Sequence, residues 1–191
     1  METIRAFIAV DIGDELRAHL DGLQRRLKKV HADVRWVKPP DMHLTLAFLG
    51  ALPVEQITPL QVLLDGGLQQ IGPFELTAAG TGYYGRRGQP RTIWAGVEDC
   101  PPLKALQQRI AELLEAGGIE FDRKPFSPHL TLGRVKGRNH TESLLGKLEK
   151  YKAVELGRAR ITTVELIQSL LKPHGVEYGV LHRVALCTGN A

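Results

Sequence analysis

The tetrapeptide His-Leu-Thr-Leu stands twice in this chain, at His43 to Leu46 and at His129 to Leu132, and one offset of 86 residues superposes the copies. The same offset runs upstream without a gap. It sets Arg5 on Arg91, Ala9 on Ala95, Leu20 on Leu106, Leu27 on Leu113, Lys38 on Lys124 and Pro39 on Pro125, six identities across residues 4 to 42. Ordinary composition gives about two or three over such a window. A chain that repeats itself this way is expected to fold as two copies of one supersecondary unit.

Each copy reads strand, helix, connector, strand. Arg5 to Ile12 is a β-branched and apolar run, followed by Leu16, Leu20, Leu23, Leu27 and Val30 at helical spacing. In the second copy, Arg91 to Val97 is the strand. Leu103, Leu106, Ile110, Leu113 and Leu114 form its helical stripe, opened by Pro101-Pro102 and closed by Gly117-Gly118. Further strands are predicted at Phe74 to Tyr84, Ala159 to Leu171 and Tyr178 to Leu186, with breakers at Pro39-Pro40, Gly50 to Pro53 and Gly85 to Pro90. The expected fold is α+β and bilobal: two pseudo-twofold-related lobes of antiparallel sheet, helices outside, and a central cleft. Residues 1–191 form one domain in this reading, with the repeat at about 1–86 and 87–172 and a C-terminal strand at 178–186.

With 43% hydrophobic residues and a net charge of +4 in 191 residues, the chain is expected to bury a core of its own without metal or disulfide staples. Cys100 and Cys187 make no disulfide framework, so a reducing cytoplasm is the expected compartment. The opening apolar run is short and closed by Asp11, unlike a signal peptide, and no run approaches the roughly 20 apolar residues of a membrane span. The excess of positive charge permits a nucleic-acid partner without requiring one.

On a strand the side chains alternate, so His43 and Thr45 are expected on one face and Leu44, Leu46 and Phe48 on the other, toward a core. His129 and Thr131 repeat this against Leu130 and Leu132. A symmetric pairing of the lobes brings two imidazoles and two hydroxyls together. Two histidines suit concerted acid–base work near neutrality, one accepting a proton while the other donates. Thr hydroxyls can donate hydrogen bonds to non-bridging phosphate oxygens, which makes phosphoryl transfer the natural reaction. Zinc is the competing reading, but it wants a third and usually a fourth ligand, and neither motif has a Cys, Asp or Glu at the expected spacing. Asp41 is the one close carboxylate, and Ser127 takes its place in the second copy.

Residues 43 to 50, His-Leu-Thr-Leu-Ala-Phe-Leu-Gly, and 125 to 135, Pro-Phe-Ser-Pro-His-Leu-Thr-Leu-Gly-Arg-Val, resemble the paired signatures of the two-histidine (2H) phosphoesterases. Within them they are most similar to the LigT-like RNA 2′,3′-cyclic phosphodiesterases, historically called 2′-5′ RNA ligases. The likeness extends to Arg5-Ala-Phe-Ile-Ala, to Pro90-Arg-Thr-Ile-Trp-Ala-Gly, and to the tail from Ser169 through Gly175 with Tyr178, Leu181 and His182. The resemblance implies metal-independent, cofactor-free opening of the P–O3′ bond of a cyclic phosphate at an RNA 3′ end, leaving a 2′-phosphomonoester. It implies His43 as proton donor, His129 as proton acceptor, and Thr45 and Thr131 as phosphate-oxygen donors. The motifs alone are symmetric and do not say which histidine is the acid. ATP-independent 2′-5′ ligation would be the same reaction run backwards.

Arg134 matches a position where this family often has a phosphate-contacting arginine, and its fork suits a phosphate. Strict alternation puts it opposite His129, so reaching the site needs a bulge near Gly133 or a place at the strand end. Its counterpart in the first copy is Phe48, which makes any phosphate cradle asymmetric. Phe48, Tyr84 and Phe126 join Arg134 as candidate substrate-binding residues, Tyr84 and Phe126 by stacking on a terminal base. Tyr83 is a further stacking candidate, and Trp94 is expected in the core. Arg86, Arg87, Arg91, Arg123, Lys124, Lys136 and Arg138 could guide an RNA backbone. His19, His31, His140, His174 and His182 have no motif company and are read as structural. The alternatives are an RNA-end-binding module, or a phosphodiesterase acting on a small cyclic phosphate or a 2′-5′ oligonucleotide. A monomer is expected, because the repeat supplies within one chain the symmetry of a dimer.

Overall fold

The strand that opens the chain, β1 (Thr3–Val10), is buried from Ala6 to its end, because both its faces are covered: Ala6, Ile8 and Val10 enter the main core, and Phe7 and Ala9 a separate cluster. After it come α1 (Gly13–Lys28), β2 (Val34–Trp36), β3 (Leu44–Pro53), α2 (Ile57–Leu68) and β4 (Phe74–Arg86). The second repeat supplies β5 (Gln89–Val97), α3 (Pro101–Ala116), β6 (His129–Val135), α4 (Thr141–Glu149), β7 (Glu155–Ile161) and β8 (Thr163–Lys172), and β9 (Gly175–Ala185) closes the series. This computed structural model describes residues 2–172 and 175–187, so His174 lies outside the described residues.

The strands form a single, strongly curled sheet in the order β7-β4-β5-β6-β3-β1-β8-β9, with β2 added beside β6, and every pairing is antiparallel. The β3–β6 junction is narrow, carried by the pair Leu44 and Leu130. Outward from it the order is mirror-like: β3 and β6, then β1 and β5, then β8 and β4, then β9 and β7. The α+β class and the pseudo-twofold halves agree with the sequence. Each half nevertheless takes strands from both repeats, since β4 pairs with β5 and β8 pairs with β1.

Helices cover one face. Leu16, Leu20, Leu23 and Leu27 of α1 and Leu103, Leu106, Ile110 and Leu113 of α3 pack with Ile8, Val10, Leu44, Ile93, Leu130 and Leu132 in one core. The opposite face carries a separate small cluster, Phe7, Ala9 and Ile167. Two helices go beyond the sequence reading: α2, whose Leu60, Leu64 and Leu68 are buried at i, i+4 spacing, and α4, which buries Leu144 and Leu148. The strand expected at Ala159 to Leu171 is split at Thr162. Its first part pairs with β4 and its second with β1, and the buried positions change phase there, from Ala159 and Ile161 to Val164 and Leu166.

Candidate active site

The junction of the halves positions the two motifs. With Leu44 opposite Leu130 in an antiparallel pair, continuing the register sets Thr45 across from His129 and His43 across from Thr131. Leu44 and Leu130 are buried in the core, so the alternating His and Thr side chains take the open face. His43, Thr45, His129 and Thr131 line one cleft of about 330 Å³, rimmed by Arg5 and Arg134.

Two bulges at equivalent places re-aim the residues beyond each motif. In β3, Ala9 faces Thr45 while Ile8 faces Ala47, which leaves Leu46 as an extra residue. In β6, Trp94 faces Thr131 while Ile93 faces Gly133, which leaves Leu132 as the extra residue. Each inserted residue inverts the alternation beyond it. Phe48, expected to point into the core, is therefore 54% exposed and lines the cleft. Arg134 reaches the same cleft by the same device. The second bulge is anchored from below: Gln24, fully buried on α1, donates through Nε2 to the carbonyls of Leu132 (2.8 Å) and Val37 (2.7 Å), and the Val37 amide also donates to Leu132 (3.0 Å). The sequence does not single out Gln24, which reads there as one polar residue inside a leucine stripe.

The histidines differ in surroundings. Phe7 lies against His43 with ring centroids 4.7 Å apart, and Tyr178 meets it edge-on at 5.2 Å. Burial pushes the His43 imidazole well below the usual histidine range, to about 4, against the opposing effect of a hydrogen bond with the Asp41 main chain and with a small further push from Arg17. Burial also raises the Asp41 carboxyl, with Lys38 opposing it. Tyr178 is raised by burial too, and Arg134, Arg5 and Arg35 are near enough to oppose part of that shift. His129 has Tyr84 edge-on at 5.0 Å. Its Nδ1 lies 2.8 Å from the Ser127 carbonyl and 3.3 Å from the Tyr84 hydroxyl, which is 3.1 Å from Ser127 Oγ. A carbonyl only accepts, so Nδ1 carries the hydrogen and Nε2 of the neutral ring is the free acceptor.

A second pocket of about 380 Å³ adjoins the first through Thr45, Phe48 and His129, and Tyr84, Pro125 and Phe126 give it an aromatic and apolar wall. Tyr84 and Phe126 thus stand where a base could stack. Tyr83 lines neither space. Trp94, expected in the core, lies on the site face instead, beside Tyr84 at 5.6 Å and over Gly82, where a Cβ would stand 2.4 Å from the indole. Arg123 is paired with Glu115, and Lys124 with Asp122 at 2.8 Å. Arg86, Arg91, Lys136 and Arg138 line a different cavity. His19, His31 and His140 are exposed, and His182 is 2.7 Å from Asp65. Among the described residues, no group of three or more His, Cys, Asp or Glu is placed to hold a metal, and no helix is long and apolar enough to cross a membrane.

Residues 12–172 match the model of the 2′-5′ RNA ligase superfamily. An RNA 2′,3′-cyclic phosphodiesterase of Methanothermobacter thermautotrophicus is 33% identical over 175 residues, 92% of this chain and 95% of its own. One of Thermotoga maritima is 32% identical over 180 residues, 94% of each chain. Among solved structures, TT0787 of Thermus thermophilus superposes with a TM-score of 0.82 at 29% identity, over 98% of this chain and all of its own. LigT of E. coli complexed with 3′-AMP superposes with a TM-score of 0.75 at 25% identity, over 97% and 99%.

Proposed function

Because this chain belongs to the 2′-5′ RNA ligase superfamily, we propose that it hydrolyses 2′,3′-cyclic phosphates at RNA 3′ ends to 2′-phosphomonoesters. The observation that carries the reading is the convergence of both His-x-Thr pairs on one cleft rimmed by Arg134, beside an aromatic pocket that suits a terminal nucleoside. The relatives named RNA 2′,3′-cyclic phosphodiesterase support it over nearly the whole chain.

In this mechanism a water oxygen attacks phosphorus while Nε2 of His129 takes its proton. The Nδ1–H bond to the Ser127 carbonyl holds that tautomer and supports the imidazolium as it forms. The P–O3′ bond breaks, and His43 delivers a proton to O3′. Burial keeps His43 neutral in the free protein, so the donor form arises with the substrate: a phosphate anion beside the buried ring stabilises the imidazolium. Thr45, Thr131 and Arg134 hold the non-bridging oxygens, and Phe48, Tyr84 and Phe126 stack the terminal base. The groups needed are side chains of this chain alone, with no metal or cofactor. Joining ends through a 2′-5′ linkage uses the same groups in reverse.

Product analysis tests the reading. An oligonucleotide ending in a 2′,3′-cyclic phosphate, incubated with the protein, is expected to yield a 2′-phosphate. A 3′-phosphate product contradicts the assigned bond cleavage, and tight binding without any product at any pH makes the protein an end-binding module.

A further inference from the structure

A cavity of about 680 Å³ lies outside the histidine cleft, between the β4–β5 hairpin and the start of α4. Arg86 and Arg91 line it from the hairpin, and Lys136 and Arg138 from the segment after β6, with Glu142 its sole carboxylate. We propose that this groove holds the phosphates of the RNA strand upstream of the reacting end, so that the protein selects a polymer over a mononucleotide. The proposal rests on the preceding reading of the histidine cleft and extends it to the body of the substrate.

Three observations carry it. Arg86, Arg91, Lys136 and Arg138 are all exposed, and none forms an ion pair among the described residues. Arg109, Arg123, Lys124 and Arg158, by contrast, each have a carboxylate. Four cations without an ion-pair partner, against one carboxylate, around one concavity form a site for a polyanion, because the groove concentrates their field.

The groove and the cleft share no lining residue, but two separate strands contribute to both sites. On β4, Tyr84 touches His129, and Arg86, two residues on, lines the groove. On β6, Arg134 lines the cleft, and Lys136, two residues on, lines the groove. Two residues of strand advance the chain by about 7 Å, the scale of one nucleotide in an extended strand, so successive phosphates can pass from one set of cations to the next.

Part of the lining, finally, is apolar. Pro90, Val135 and Leu145 line the groove together with the charges. Such a surface suits riboses and bases of a single strand better than a bare phosphate ion.

The test is a length and salt series on 2′,3′-cyclic phosphate substrates of one, two, four and eight nucleotides. We expect kcat/KM to rise about tenfold or more from the mononucleotide to the tetranucleotide and then level. For the octanucleotide, log kcat/KM is expected to fall against log salt with a slope near −2, as about three phosphate contacts on a single strand give. In the triple variant Arg86→Ala/Lys136→Ala/Arg138→Ala, the preference for the longer substrate and the salt slope should both collapse toward the mononucleotide values. Equal treatment of all lengths by the parent protein, or a variant that keeps the preference, overturns the proposal. If no substrate is turned over, the catalytic reading fails on its own. Anisotropy with a labelled octanucleotide bearing a 2′-phosphate then decides the groove: about tenfold weaker binding by the variant supports it, and equal binding overturns it.

Discussion

Phe7 and Tyr178 enclose the imidazole of His43, while Tyr84 is the ring that meets His129, so two identical motifs have unequal surroundings. His43, pushed down to about 4 by burial, should titrate well below pH 6 in NMR spectra of the free protein. It should titrate higher when a cyclic nucleotide occupies the His129→Ala variant; an unmoved His43 would argue against its role as donor. The same burial links stability to pH. A histidine whose folded pKa lies below its unfolded value makes the native state bind fewer protons, so stability is lost as pH falls from about 6.5 to about 4, by at most on the order of 3 kcal/mol. Urea midpoints at pH 7 and pH 4 should therefore lie further apart in the parent than in His43→Leu, which lacks this loss. Thr131→Val should lower kcat by about 10²-fold or more if its hydroxyl serves the transition state, with little change in KM. The His and Thr pairs were legible because the duplication names them. Tyr178 was visible only as part of the tail, since its contact with His43 depends on β9 pairing with β8, which sets Tyr178 across from Ser169.

At the scale of elements, the bulges at Leu46 and Leu132 determine what lines the cleft. Alternation along β3 correctly separates His43 and Thr45 from Leu44, and then fails at Phe48, because an inserted residue is defined only against the partner strand. Gly133 was the local hint for the second bulge: a Cβ there would come within 2.6 Å of Val34. Gly133→Val should therefore disturb the β2–β6 edge, costing roughly 1–3 kcal/mol and raising KM by misaiming Arg134. Gln24→Leu is the cleaner test of the anchor. It leaves the carbonyl of Val37 without its side-chain donor and that of Leu132 with one donor fewer, so urea denaturation should show a loss of about 1–3 kcal/mol. A variant as stable as the parent, with unchanged KM, would show that Gln24 does not hold the bulge. Helix α2 could have been found from Leu60, Leu64 and Leu68, whereas the split of the long apolar run at Thr162 shows in sequence only as a change of phase.

Across the whole molecule, the 86-residue repeat sets which elements correspond but not which half each joins, because self-contained and exchanged strands carry the same alternation. The exchange of β4 and β8 ties the halves together, since neither repeat holds a complete set of neighbours. Unfolding should accordingly be a single transition, with far-UV circular dichroism and the fluorescence of Trp36 and Trp94 coinciding in denaturant; separate transitions would mean that the halves are independent. The same architecture places one histidine from each repeat at the β3–β6 junction, and the proposed mechanism requires both. Turnover of an oligonucleotide with a 2′,3′-cyclic phosphate end, measured in chelator for the parent, His43→Ala and His129→Ala, tests this most directly. The account predicts an active parent and a loss of about 10²–10⁴-fold in each variant. Near-parental turnover in either variant, or a parent silenced by the chelator, would contradict it.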